Sequence, residues 1–392
     1  MRALLLRVPT TKWLFQILGA WVLASCADSL PVAPLAPLKP SMEAEVVWKE
    51  GIGSVEQAIL RPVVVQGVLY TANEAGDLRA FEPASGKELW RVKTTESFSA
   101  GLGSGEQMLL LGDKKGEVLA YTLKGELLWR SQLSSELMVA PQAAEGVVVT
   151  RTADGRITGL SATDGKRRWS VQRPMPALVL RGISQIAMER GAVLVGLPGG
   201  KLLALNLADG SVGWEATVSI PKGATELERI NDVVGTPLFG FRDVCTASYQ
   251  GKVACLDVVK GETLWSTDLS VTGALGAEGN KLFATTEKGD VVALNRTSGT
   301  VAWKQESLEG RYPSAPQAFG DYVVLGDAQG VVHFLSRADG TELGRIKTDD
   351  VAMIQQAQVL DDNLILLTNR DGKLFALAPH GAQSHWLPSW FR

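Results

Sequence analysis

Histidine and cysteine carry much of the catalysis and metal binding found in proteins, and both are scarce here: three of each in 392 residues. His333, His380 and His385 fall on one strand-like run and in the C-terminal tail. Neither a metal cluster nor a Ser-His-Asp arrangement can be assembled from that placement. No catalytic residue, metal or cofactor is therefore expected. Cys245 and Cys255 flank a turn at Gly251. If residue 248 pairs with 252 across a three-residue loop, 245 faces 255, within reach of a cross-strand disulfide in an oxidising compartment. The other reading is two small buried hydrophobes. The facing register favours the disulfide, and either role is structural.

The third cysteine, Cys26, sits in a different context. Arg2, Arg7 and Lys12 precede an apolar segment from Trp13 to Leu23, followed by Leu23-Ala24-Ser25-Cys26. A positive start, a short apolar middle and small residues before a cut make a secretory signal over residues 1–25, its apolar stretch shorter than a membrane span needs. The last four residues resemble the lipobox of bacterial lipoproteins, which implies lipidation of Cys26 rather than an ordinary signal peptide. Ala27 after the cysteine, where an Asp would favour the inner membrane, implies the outer membrane, although Asp28 follows one place later. Residues 26–44 then carry Pro31, Pro34, Pro37 and Pro40 at every third place. That spacing favours polyproline II, and the 18 residues from Ala27 to Ala44 would reach roughly 55 Å as a tether.

The rest of the chain must be built from elements that position few reactive groups. Lys281 to Trp303 is their pattern: a short apolar run, a Gly turn, a second run, another Gly turn and a run ending on Trp. Alternation bounded by such turns means strands joined by hairpins. The first turn glycine recurs as Gly76, Gly116, Gly155, Gly200, Gly251, Gly289, Gly330 and Gly372. Trp90, Trp129, Trp169, Trp214, Trp265 and Trp303 follow, each with a second glycine four places ahead (Gly86, Gly125, Gly165, Gly210, Gly261, Gly299), whereas copy seven has Gly340 but Gly344 in place of Trp. Eight units near 42 residues predict an all-β fold, an eight-bladed β-propeller of four-stranded antiparallel blades over residues 45–380, with a tail at 381–392. The ring needs a clasp. The run around Trp48 is placed in the last blade beside Leu374 to Leu377, in preference to the competing Trp386, whose surroundings contain Pro388.

Two spacings between successive first glycines, 45 and 51, exceed the others, which run from 38 to 42. The excess lies after Trp169 and after Trp214. Loop variation on a rigid repeat is where binding usually lives. The first loop offers Leu178, Leu180 and Arg181; the second offers Glu226, Glu228, Arg229 and Asp232. An apolar pair beside a cation suits an interface anchor, with Asp232 able to orient Arg181. Leu178 and Leu180 facing the core of a longer strand fits the periodicity equally well.

Repeats such as Ala80-Phe81-Glu82-Pro83-Ala84-Ser85-Gly86-Lys87-Glu88-Leu89-Trp90 resemble the motif of quinoprotein-type propellers. Among these, the lipoprotein signal, the Pro-rich segment and a single eight-bladed ring resemble the BamB family, lipoproteins of the outer-membrane β-barrel assembly machinery. Trp48 with Gly51-Ile52-Gly53, and residues 224–233 outside the repeat, match that family's patterns. The resemblance implies a non-enzymatic scaffold on the periplasmic face of the outer membrane, monomeric within its complex. It also implies binding to a POTRA domain of BamA through Leu178, Leu180, Arg181 and Asp232, and work on unfolded outer-membrane proteins. Val234 stands where the family often has a second acid, which implies either a weaker acidic contact or one that passes to Glu226 or Glu228. The alternatives are a periplasmic quinoprotein-type dehydrogenase and a polysaccharide-binding propeller; the chain has no adjacent cysteine pair for the first, and both enlarged loops lack Trp and Tyr for the second. With 39 basic against 42 acidic residues there is no basic excess, and nucleic acid is not an expected partner.

Overall fold

The structure, a computed structural model, describes residues 32–55, 59–176, 178–180 and 184–381. Among these residues every regular element is a β-strand, and no helix is long and apolar enough to cross a membrane. The strands form eight antiparallel four-stranded sheets, the blades of a β-propeller. In chain order, blades 1 to 7 span residues 63–93, 98–132, 142–172, 186–217, 233–268, 276–305 and 317–347. Blade 8 combines residues 358–381 with Met42–Gly51. Blade 2 gains a fifth strand, Ile59–Leu60, parallel to its innermost one.

The burial pattern explains why strict alternation appears only in places. In blade 6 the second and third strands, Lys281–Thr285 and Val291–Asn295, are buried on both faces, Phe283 as fully as Leu282 and Ala284. Each blade packs against two neighbours, so its middle strands read as nearly continuous apolar runs. The outermost strands, such as Thr263–Asp268, alternate between exposed and half-buried residues.

Neighbouring blades are joined by one repeated contact. Five of the outer-strand Trp residues lay their rings on the second turn glycine of the next blade. A Cβ built on Gly299 would stand 2.2 Å from the Trp265 ring, and the φ of +71° at Gly299 independently favours glycine. The indole N–H of Trp265 then donates to the Arg296 carbonyl at 2.7 Å. The same pairing joins Trp129 to Gly165, Trp169 to Gly210, Trp214 to Gly261 and Trp303 to Gly340.

Trp48 closes the ring. Met42–Gly51 pairs antiparallel with Lys373–Gly381, Trp48 opposite Ala376, and the Trp48 ring rests on Gly86 of blade 1. Its indole donates to the Pro83 carbonyl at 2.8 Å. Trp386 lies outside the described residues. The clasp begins at Met42, ahead of the boundary read at Glu45, and this explains the irregular seventh copy. A Cβ on Gly344 would stand 2.2 Å from the sulfur of Met42, so the space that Trp fills elsewhere is taken by the clasp. Cys245 and Cys255 are opposite one another in the register of blade 5 and are joined by a disulfide.

Candidate partner-binding site

In blades 3 and 4 the first residue beyond the outer strand donates its N–H to the carbonyl of that blade's first turn glycine: Arg173 to Gly155 at 2.9 Å and Val218 to Gly200 at 2.7 Å. Both enlarged connections, residues 173–185 and 218–232, therefore leave on the face that carries the first turns. We call it the connection face.

Asp232 ties the two connections together. One carboxylate oxygen accepts the N–H of Leu180 at 2.7 Å, and the other accepts the N–H of Gly199 at 3.3 Å. The side chain that the sequence offers to orient Arg181 is 5% exposed, and it acts on the backbone of the first loop from 52 residues away. Burial raises its pKa, offset in part by the two N–H donors and by the charge of Arg151. Arg151, also buried, donates to the Gly196 carbonyl at 2.7 Å, and burial brings its pKa down to about 10. A small hollow bordered by Arg151, Val179, Leu180, Ser184 and Asp232 lies between these groups.

The fixed backbone sorts the apolar residues of the first loop. Val179 packs on the core shared by blades 3 and 4, Leu180 is half-buried at the hollow, and Leu178 points outward at 44% exposure. Of the two readings for the leucines, the outward one holds for Leu178. Arg181 and Cys26 lie outside the described residues.

The second loop is pinned from within. The Glu228 carboxylate accepts N–H bonds from Ala224 at 2.7 Å and Thr225 at 3.0 Å, while the Thr225 hydroxyl accepts the Glu228 N–H at 3.2 Å. This reciprocal arrangement is that of a capping box. These bonds hold the Glu228 carboxyl below the usual range. Asn231, buried, pairs with the Ser219 hydroxyl and donates to the Gln250 carbonyl. Of the acids offered by the sequence, Asp232 is buried, whereas Glu226 and Glu228 are both exposed, the Glu228 carboxylate being held by the backbone of its own loop. Leu227 and Ile220 stand out at 68% and 69% exposure. Sequence reasoning passed over both leucine and isoleucine because neither belongs to a periodic run. Arg151 had a signal, a cation ending the buried run Val147–Arg151, but its partner is distant in sequence.

The grouping of acids and cysteines with metal-ligand spacing among the described residues is Asp243 with Cys245 and Cys255. Both sulfurs are spent in the disulfide, so it offers no thiolate to a metal.

Comparison with known proteins adds independent findings. A family model described as outer membrane protein assembly factor BamB matches residues 74–271 and again 253–387. A protein of Bordetella pertussis with that same description is 36% identical over 356 residues, covering 91% of this chain and 92% of that protein. A crystal structure of BamB from Moraxella catarrhalis superposes with a TM-score of 0.77 at 25% identity, over 86% of this chain and 100% of that one. A quinohemoprotein alcohol dehydrogenase from Pseudomonas putida superposes at a TM-score of 0.67 over 91% of this chain and 80% of that one, with 12% identity. That last likeness shows a common fold alone.

Proposed function

The chain belongs to the BamB family of outer membrane protein assembly factors, and from that premise we propose that it is a non-enzymatic scaffold of the outer-membrane protein assembly complex. In this reading Cys26 carries the lipid anchor, the propeller lies on the periplasmic face, and the two enlarged connections bind a POTRA domain of BamA. Unfolded outer-membrane proteins are then delivered or oriented for insertion beside it.

The observation that carries the site assignment is the Asp232 bridge to Leu180. It makes one preformed surface out of two loops and leaves Leu178 and Leu227 exposed on it. Preformed apolar anchors lower the ordering cost of association. Arg181 and Leu180 complete the contact set, with Glu226 and Glu228 as the exposed acids. The dehydrogenase reading has the fold likeness in its support and no residue set that answers to it.

The test is co-purification with BamA. Arg181→Glu and Leu180→Ala are each expected to abolish it while the circular dichroism of the purified propeller stays unchanged. Recovery of BamA at the unmodified level with both variants would overturn the site assignment.

A further inference from the structure

Residues 32–41 read from sequence as part of a free tether, yet they lie along blade 7. The Ala33 N–H donates to the Gly310 carbonyl at 3.2 Å, and the Ser41 N–H donates to the Leu343 carbonyl at 2.8 Å. Between them, Arg345 donates to the Ala36 carbonyl at 2.7 Å, and Arg311 donates through Nη1 to the Ala33 carbonyl.

The seat is built from buried charge. Arg311 is 1% exposed, with Nε and Nη2 directed at Asp327 and Nη2 also at Gln329. Asp327 in turn meets His333 at 3.1 Å, His333 meets Glu342 at 2.7 Å, and Glu342 lies 3.7 Å from Arg345. The two arginines that hold the segment are thus the ends of one continuous chain of ionisable groups across blade 7. A guanidinium so deeply buried needs an acceptor for each face of its fork, and the Ala33 carbonyl supplies the one at Nη1.

We infer that residues 32–41 are a strap seated on blade 7 as part of the fold, so that the N-terminal segment leaves the propeller at one fixed point on the connection face. Gly310 belongs to the connection between blades 6 and 7, which puts Ala33 on that face, while Ser41 reaches Leu343 at the far end of the outer strand. The consequence for anchoring rests on the proposed lipidation of Cys26. Six residues from 26 to 32 span about 20 Å at about 3.1 Å each, against roughly 55 Å for a tether free from Ala27 to Ala44. The anchor would then hold the connection face toward the membrane, the face that also bears the two enlarged connections.

Hydrogen exchange resolved to single residues, on the protein as the cell processes it and purified in detergent, tests the strap without lipid chemistry or partner entering the readout. The amides of Ala33 and Ser41 should exchange at least about tenfold more slowly than in a free peptide of residues 32–42. Arg345→Ala and, separately, Ala33→Pro, which removes one donor and leaves the blade untouched, should each speed exchange at Ser41 by about tenfold with the blades still protected. Arg311→Ala is avoided because its burial ties it to folding. A strap exchanging at the free-peptide rate in the unmodified protein, or a protected one indifferent to both variants, would overturn the inference.

Discussion

Asp232 on the connections and Asp327 in blade 7 are both buried, yet the protein treats them in opposite ways. Burial alone pushes a carboxyl pKa up. At Asp327 that push is overcome by His333, by the Val331 N–H and by Arg311, and the carboxyl falls to about 2. At Asp232 two backbone N–H groups and Arg151 do not suffice, and the pKa stays raised. The first is a compensated charge that holds a blade. The second is an under-compensated charge that holds two loops, and such groups concentrate at functional sites.

The largest expected effect separates them by stability. Asp327→Asn strips Arg311 and His333 of their common partner inside the blade, and should cost about 3–5 kcal/mol in chemical denaturation. Asp232→Asn keeps an acceptor for one N–H and should cost about 1–2 kcal/mol. Equal losses would break the contrast.

The second effect is one of sign. Asp232 has a folded pKa above its ordinary 3.8, so its contribution is full below 3.8 and is lost as pH rises through the raised value. Asp327 has a depressed folded pKa, so its contribution is present above 3.8 and is lost as pH falls toward 2. Stability measured against pH, each Asn variant subtracted from the unmodified chain, should therefore slope downward with pH for Asp232 and upward for Asp327. Slopes of the same sign would contradict the assignment. His333, raised by Asp327 and Glu342 against the downward push of burial, adds stability below pH 6.5 that fades as pH climbs through its folded value.

The smallest effect on folding belongs to the exposed anchors. Leu178→Ala and Leu227→Ala should change stability by less than about 0.5 kcal/mol. Both should nonetheless weaken the recovery of BamA, because each removes an apolar contact from the face of the site. A large loss of stability would place these side chains in the core instead.

Much of the scaffold was legible because it repeats. The turn glycines, the docking tryptophans, Trp48 as the clasp and the facing register of Cys245 and Cys255 all follow from local spacing. What escaped depends on contacts between residues far apart in the chain. Gly344 in place of Trp made sense only beside Met42, and the bond of Asp232 to the Leu180 backbone could not be read because the two residues lie on opposite sides of blade 4 in the chain. The Pro-rich run was read as free for the same reason: composition sets the local conformation of residues 32–41, while Arg311 and Arg345 decide where they lie.

In the proposed function the partner meets the protein on the two enlarged connections and not on the regular blade walls. A photoreactive residue placed at Leu178, compared with one at the still more exposed wall residue Leu264, provides the test. An adduct with BamA is expected from position 178 and none from 264. Adducts from 264 alone, or in equal yield from both, would contradict it.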